Sequence, residues 1–173
     1  MHHAPLFQEK YRIPSARLAA YDYRSSGFYF VTWKVKGNAR VLGHIKNGHV
    51  HLSFLGKIAT SEIYETMVVR PGIYIDEMVV MPDHVHVLFE FVRDVSMDSE
   101  TAQRAVSTKM PRVLHSNSLG SIVGQIKSKI TKRIRCISSL FFWQDRFHDH
   151  IVRSCEIERI RRYIRNNPRH HTI

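Results

Sequence analysis

The chain has 173 residues and a formal net charge of +11, and its length suits one domain with its own hydrophobic core. Its two cysteines, Cys136 and Cys155, are too few for a disulfide framework and lack the spacing of a metal site. No apolar run approaches the roughly 20 residues needed to span a bilayer, and the N-terminus MHHAPLFQEK is unlike a signal peptide. These features predict a cytoplasmic protein that does not enter a membrane.

The positive charge is confined to the C-terminal part of the chain. Residues 1–100 hold 11 basic and 11 acidic residues, whereas residues 101–173 hold 15 basic and 4 acidic ones. A solvated basic face is one explanation, but an excess this one-sided favours a polyanionic partner. Nucleic acid is favoured over an anionic membrane surface, because the basic segments alternate with a Trp- and Phe-rich stretch instead of forming one amphipathic anchor.

In chain order, the first half of the sequence predicts strands with one hairpin and one helix. Residues 1–26 lack clear periodicity and are interpreted as an N-terminal arm, which leaves residues 27–173 as the domain. The Asn47-Gly48 pair suits a type I′ hairpin turn, and Gly56 is interpreted as the end of that hairpin. Composition and apolar spacing predict strands at Phe28–Lys36, Val41–Ile45, His49–Phe54 and Ile73–Val80 and a helix at Lys57–Arg70.

The second half predicts helices and one further strand. A short helix is expected at Glu100–Lys109, and isoleucines repeated every four residues predict a longer one over Ser118–Arg135. Phe141–Arg153 is interpreted as loop and strand. The last helix is expected to follow Ser154 as its N-cap and to end at Pro168. This order of elements predicts an α+β fold in which helices pack on a central antiparallel sheet.

The stretch MPDHVHVLFE, residues Met81–Glu90, predicts a strand with two imidazoles on one face. Because side chains alternate along a strand, His84 and His86 point the same way, while Val85 and Val87 point the other way. Two imidazoles at this spacing can share one metal ion. For a His-x-His pair taken alone, histidines that only hydrogen-bond to their neighbours are the more frequent case.

The last helix carries a tyrosine and an asparagine in register. Tyr163 and Asn167 are four residues apart, so they lie one above the other on the helix surface. They adjoin an apolar stripe of Ile157, Ile160 and Ile164. A tyrosine in such a place is often a core residue or a hydrogen-bonded residue at the rim of the core.

Three segments in this order give the chain a family resemblance: MPDHVHVLFE, FWQDRFHDHIVR and RRYIRNNP. Together they resemble the single-tyrosine HUH transposases, most of all their REP-associated branch, and the resemblance extends from about Gly27 to Pro168. It implies a ferredoxin-like α+β domain. It also implies cleavage and rejoining of single-stranded or hairpin DNA, such as REP-type palindromes.

Carried over residue by residue, the resemblance assigns a role to each member of the two pairs. It implies that His84, His86 and Asn167 bind Mg²⁺ or Mn²⁺ and that Tyr163 is the nucleophile. Attack by the tyrosine would leave a 5′-phosphotyrosine link and a free 3′-OH, which conserves the bond energy for rejoining. Two alternatives stay open: a DNA-hairpin-binding protein that keeps the fold without catalysis, and a metallohydrolase that uses metal-bound water and does not need Tyr163.

DNA contacts are expected from the basic helix and from the Trp- and Phe-rich stretch after it. The candidates are Lys127, Lys129, Lys132, Arg133, His150 and Arg153. For His150 a structural role is an equal alternative. A monomer that completes its site within one chain is favoured over a dimer, because the last strand leads almost directly into the final helix and leaves little tether.

Overall fold

The computed structural model describes residues 21–92 and 117–170, and these form a four-stranded antiparallel sheet, a separate hairpin and three α-helices. The elements are β1 Gly27–Lys34, β2 Gly43–Lys46, β3 His49–Leu52, α1 Phe54–Val69, β4 Ile73–Val80, β5 His84–Phe91, α2 Leu119–Arg135, β6 His148–Val152 and α3 Ile157–His170. The sheet has the spatial order β4-β5-β1-β6 and β2 pairs with β3. Without the hairpin and α3, the chain order is β-α-β-β-α-β, the ferredoxin-like arrangement. The predicted α+β fold class is confirmed. The predicted helix at Glu100–Lys109 lies outside the described residues.

The sheet separates two hydrophobic cores. Tyr29, Val31 and Trp33 of β1 join the larger core, which also takes in the buried residues of α1 and α2. Phe30 of β1 faces the other way and joins Ile164 of α3 in the smaller core. This division follows from the two-residue period of a strand, so α1 and α2 cover one face of the sheet and α3 covers the opposite face. No helix in the described part of the chain is long and apolar enough to cross a bilayer.

The end of the predicted arm packs against the larger core. The rings of Tyr21 and Tyr23 each lie 6.3 Å from the ring of Tyr29, measured between centroids. The hydroxyl of Tyr29 also donates to the carbonyl oxygen of Ser25 at 2.8 Å. These residues therefore continue the fold ahead of β1.

The predicted hairpin turn is confirmed, but the start of the first helix was predicted wrongly. Asn47 and Gly48 have φ values of 53° and 72°, both positive as a type I′ turn requires. Gly56 does not end the hairpin; it lies in the first turn of α1, where Ser53 is the N-cap and accepts from the Gly56 amide at 3.1 Å. A Cβ at this position would lie 2.0 Å from the carbonyl oxygen of Leu42. The glycine therefore permits a close approach of two backbones.

The last helix differs from its predicted bounds at both ends. A short 3-10 turn at Ser154–Glu156 precedes it, and α3 then runs through Pro168 instead of ending there. The cap is provided by the Glu156 carboxylate, which accepts from the Arg153 amide at 3.1 Å, and not by Ser154. Pro168 is buried and lies in the last turn of the helix, where a proline leaves one backbone hydrogen bond unmade.

Two ion pairs fix α3 on the sheet. A β-bulge between Ile75 and Glu77 interrupts the register of β4 with β5. Arg161 of α3 bonds to both carboxylate oxygens of Asp76, at 2.8 and 2.5 Å, and Arg165 bonds to Glu77 at 2.7 Å. The bulge lets two consecutive carboxylates reach the same helix, because it breaks the alternation of side chains at that point. The helix that carries Tyr163 is thus anchored to the sheet of its own chain.

Candidate active site

His84 and His86 open β5 on the face that α3 covers. Two backbone hydrogen bonds hold the tight turn before them to the segment that follows β1. The carbonyl oxygens of Pro82 and Asp83 accept from the amides of Leu42 and Val35 at 2.9 and 2.8 Å. Both imidazoles are almost fully buried, with exposures of 7% and 5%. Their Nε2 atoms face each other at 3.1 Å.

The other nitrogen of each ring is held by a different side chain. His84 Nδ1 lies 2.7 Å from the Asp83 carboxylate, and His86 Nδ1 lies 2.7 Å from the Thr32 hydroxyl. The hydrogen bond with His84 lowers the pKa of Asp83, and this outweighs the opposing effect of burial. Asp83 is therefore an anion that accepts the Nδ1 proton of His84.

These outer bonds fit the two rings to a cation. When Asp83 and Thr32 accept the two Nδ1 protons, each neutral ring presents a lone pair at Nε2. The two Nε2 atoms are 3.1 Å apart, within hydrogen-bonding distance, so a proton or a cation between them would interact with both rings. Histidines that bind a metal characteristically donate their other N–H to a carboxylate or another oxygen in this way.

Tyr163 of α3 lies next to this pair. Its ring is 5.4 Å from the His86 ring and 6.0 Å from the Phe30 ring, measured between centroids. The Phe30 ring stacks on the His86 ring with 5.4 Å between centroids, so Phe30 contacts both the tyrosine and the histidine. Burial raises the pKa of the Tyr163 phenol, and the hydrogen bond with Asn167 opposes that rise in part. The group is protonated at neutral pH.

Asn167 follows Tyr163 by one helical turn and is 2% exposed. Its side chain hydrogen-bonds to the tyrosine, whereas its Oδ1 is buried and, within the described residues, has no hydrogen-bond partner. Leaving a buried carbonyl oxygen without a partner is costly. An amide oxygen is also a ligand that hard divalent cations accept.

The two predicted pairs are therefore brought together by the packing of α3 on β5. Residues 21–92 and 117–170 contain no cluster of three or more His, Cys, Asp or Glu side chains that could hold a metal. The donor set here is instead two imidazoles and one amide oxygen, and the buried Asn167 Oδ1, which has no hydrogen-bond partner among the described residues, fits a bound cation.

The six residues predicted to contact DNA fall into two groups. The Lys127 ammonium donates to the carbonyl oxygens of Gln144 and Asp145 at 2.5 and 3.4 Å, and its partial burial lowers its pKa. Arg133 bonds to Glu62 of α1, and His150 lies 3.2 Å from the Glu156 carboxylate. These three side chains have structural partners. Lys129, Lys132 and Arg153 are exposed.

The basic helix also lies away from the histidines. The buried residues of α2 belong to the larger core, whereas Tyr163 packs on the smaller one. Because the sheet separates the two cores, α2 and the site are on opposite faces of it.

Sequence reasoning did not single out Thr32 and Asp83. Side chains alternate along a strand, so Thr32 and Lys34 share one face of β1, but the sequence does not show which strand lies next to β1. In the structure Thr32 lies opposite His86 and Lys34 lies opposite His84. Asp83 was visible only as a turn residue in the MPDH segment.

Comparison with known proteins places this geometry in a known fold. No protein-family model matches the chain. The structure is similar to that of a REP-associated tyrosine transposase bound to a REP hairpin, with a TM-score of 0.57, 20% identity and coverage of 84% of this chain and 68% of that one. The structure of a candidate transposase from Deinococcus radiodurans has a TM-score of 0.47 and 16% identity, and the match covers 82% of this chain and 91% of that one. A TM-score this low adds nothing to the assignment.

The chain thus has the fold of a REP-associated tyrosine transposase, as the sequence resemblance predicted. In sequence, the chain is 35% identical over 156 residues to an uncharacterized protein of Haemophilus influenzae, with coverage of 89% of this chain and 87% of that protein. The chain belongs to the same family as that protein.

Proposed function

We propose that the protein is a metal-dependent strand transferase that cuts and rejoins single-stranded or hairpin DNA through Tyr163. The observation that carries this proposal is the position of the Tyr163 ring, 5.4 Å from the ring of His86, beside two Nε2 atoms that face each other at 3.1 Å. A transposase of the same fold was solved with a REP hairpin bound, which supports REP-type palindromes as the substrate class.

The proposed metal ligands are His84 Nε2, His86 Nε2 and Asn167 Oδ1, with Mg²⁺ or Mn²⁺ as the ion. Imidazole is softer than the oxygen ligands that Mg²⁺ prefers, so phosphate and water oxygens would complete the set. The ion, when bound, would neutralise charge on the scissile phosphate and stabilise the transition state.

Tyr163 would form the covalent intermediate. Its hydroxyl oxygen attacks the phosphorus, the bond from phosphorus to the 3′-oxygen breaks, and the strand is left with a 5′-phosphotyrosine link and a 3′-OH. Because burial raises the pKa of the phenol, its proton must leave as the new bond forms, and the departing 3′-oxygen takes up a proton in exchange, directly or through water. A hydrogen bond from the Asn167 amide favours the phenolate and so assists that loss. Attack by a 3′-OH on the phosphotyrosine reverses the step and rejoins the strand.

The same structure supports a site completed within one chain. The ion pairs of Arg161 with Asp76 and of Arg165 with Glu77 hold α3 on its own β4. The connection from β6 to α3 is also short, since β6 ends at Val152 and α3 begins at Ile157, and it leaves little reach to the sheet of a second subunit. We therefore propose that the protein acts as a monomer.

The test is the covalent adduct itself. Labelled single strands that contain a hairpin are incubated with the protein and Mg²⁺ or Mn²⁺, and a denaturing gel resolves the protein–DNA adduct. Tyr163→Phe should abolish the adduct and leave DNA affinity within a few-fold, because only the hydroxyl is lost. Tyr74→Phe, at a tyrosine that is 50% exposed, is the matched control and should behave as wild type.

Each failure of this test has a defined meaning. Cleavage that persists in Tyr163→Phe would favour a metallohydrolase. Wild-type protein that binds the hairpin tightly but forms no adduct with either metal would favour the non-catalytic DNA-binding protein.

A further inference from the structure

The basic side chains of this protein can be sorted by their partners. Arg133, Arg161 and Arg165 each bond to a carboxylate on a neighbouring element, so their charges contribute to the fold. Lys36 and Arg135 differ from these, since neither forms an ion pair in the part of the chain that the structure describes.

These two cations are held by one aromatic ring. Cζ of Arg135 lies 4.0 Å from the centroid of the Phe142 ring, and Nζ of Lys36 lies 5.7 Å from it. The backbone fixes the arrangement, because the Lys36 amide donates to the Phe142 carbonyl at 2.8 Å and Arg135 Nε donates to the Phe141 carbonyl at 3.1 Å. We call Lys36, Phe142 and Arg135 the rim cluster.

The rim cluster connects the site to the basic helix. Lys34, two residues before Lys36, lies opposite His84 on the site face and helps to lower the pKa of Asp83. Arg135 is the last residue of α2 on the other face. Lys34, Lys36 and Arg135 therefore place positive charges from the site face, past the end of β1, to the end of α2.

Repulsion between its two cations also favours binding of an anion by the rim cluster. Two like charges brought to one ring without a carboxylate repel each other, and contact with an aromatic face offsets this only in part. The Phe142 ring remains 43% exposed, and Leu140 nearby is 86% exposed. A bound anion would relieve the repulsion, and the exposed surface leaves room for it.

We propose that the rim cluster binds the phosphate backbone of the DNA that is cut at Tyr163, where that DNA passes from the site over the end of β1 towards α2. This proposal rests on the proposed function and adds a path for the substrate. DNA fits better than a membrane surface, because the cations follow a line that starts at the proposed metal ligands. An amphipathic anchor would instead present one broad apolar face.

The experiment measures DNA affinity as a function of salt. Binding of a labelled hairpin-bearing single strand is titrated at several salt concentrations in the presence of EDTA, so that no cleavage occurs. Lys36→Gln/Arg135→Gln keeps most of the side-chain length and removes both charges. Two lost phosphate contacts should lower affinity about tenfold and reduce the slope of log K against log salt by roughly 1.4 to 1.8.

Arg24→Gln is the matched control. Arg24 precedes β1, at the opposite end of that strand from Lys36, and its charge is paired with the Asp22 carboxylate at 2.8 Å. Removal of the Arg24 charge should change DNA affinity less than about twofold and leave the salt slope as in wild type. If the double variant is poorly folded by circular dichroism, Lys36→Gln alone should give about half the change in slope.

The outcomes separate this proposal from the proposed function. An unchanged salt slope in the folded double variant overturns the rim cluster as a DNA surface, whether or not the wild type forms an adduct. A reduced slope supports it even if no adduct is ever seen. Phosphatidylserine vesicles serve as the competing partner. Vesicle binding that the double substitution abolishes, with the DNA slope unchanged, would overturn the proposal in favour of a membrane contact.

Discussion

Thr32 on β1 lies directly opposite His86 on β5, and its hydroxyl oxygen is 2.7 Å from Nδ1 of that histidine. Asp83 holds Nδ1 of His84 at the same distance. Two groups of different chemistry thus orient the two rings from outside, so that both Nε2 atoms point to one place. Such outer partners fix the tautomer and orientation of a metal-binding histidine.

Removing either outer partner should weaken the proposed metal site. Asp83→Asn places an amide N–H where the carboxylate was, which favours the tautomer of His84 with its proton on Nε2. Thr32→Val leaves His86 Nδ1 without a partner. We expect each variant to bind Mn²⁺ about 10- to 100-fold more weakly, measured by calorimetry without DNA. Thr60→Val, whose hydroxyl bonds within α1, is the control. Wild-type affinity in both test variants would show that these bonds only stabilise the fold.

Loss of either histidine should stop cleavage without stopping binding. His84→Ala and His86→Ala each remove one proposed ligand, and chelation of the wild type should have the same effect. DNA should still bind, because the proposed phosphate contacts lie on other residues. His49→Ala, at an exposed hairpin position, should retain full adduct formation. An adduct formed by chelator-treated protein would contradict the two-histidine site.

Mixing two inactive variants distinguishes a monomer from a composite dimer. Tyr163→Phe protein supplies intact histidines and His84→Ala protein supplies an intact tyrosine. Because Arg161 and Arg165 hold α3 to the sheet of its own chain, we expect the mixture to form no adduct. Adduct formation in the mixture, at a level that rises with total protein concentration, would show that α3 completes the site of a partner.

The turn before α3 should make the protein sensitive to acid. Burial alone raises the pKa of Glu156, but bonds from the Arg153 amide, His150 and Arg159 outweigh it, and the net pKa is lowered from 4.5. A lowered pKa in the folded state adds stability above the unfolded value, and this is lost as the pH falls through the folded value. Between pH 7 and 3, urea unfolding should show this loss.

Glu156→Gln should remove that part of the pH dependence. The amide keeps the size of the side chain and an acceptor for the Arg153 amide but loses the charge that attracts His150 and Arg159, so the free energy of unfolding at pH 7 should fall by about 0.5 kcal/mol. Glu65→Gln, at an exposed position of α1, should leave both quantities unchanged. Equal pH profiles for wild type and Glu156→Gln would show that the carboxylate does not stabilise this turn.

Local patterns predicted most of the elements but not all of their bounds. The Asn47-Gly48 turn and the histidine strand depend on near neighbours in sequence, and both were predicted correctly. The start of α1 was not, because a glycine ordinarily interrupts a helix and Gly56 was therefore assigned to the end of the hairpin. In the structure Ser53 caps the helix, and the close approach of the Leu42 carbonyl leaves no room for a Cβ at position 56. The sequence near Gly56 does not show that approach.

By itself, the sequence determined that His84 and His86 share one face of a strand and that Tyr163 and Asn167 share one face of a helix. Both conclusions follow from periods of two and about four residues. Only the tertiary structure decided that the two faces meet and that α2 lies on the other side of the sheet. The reason is physical: strand register and helix docking are set by contacts between distant segments, and no local period encodes them.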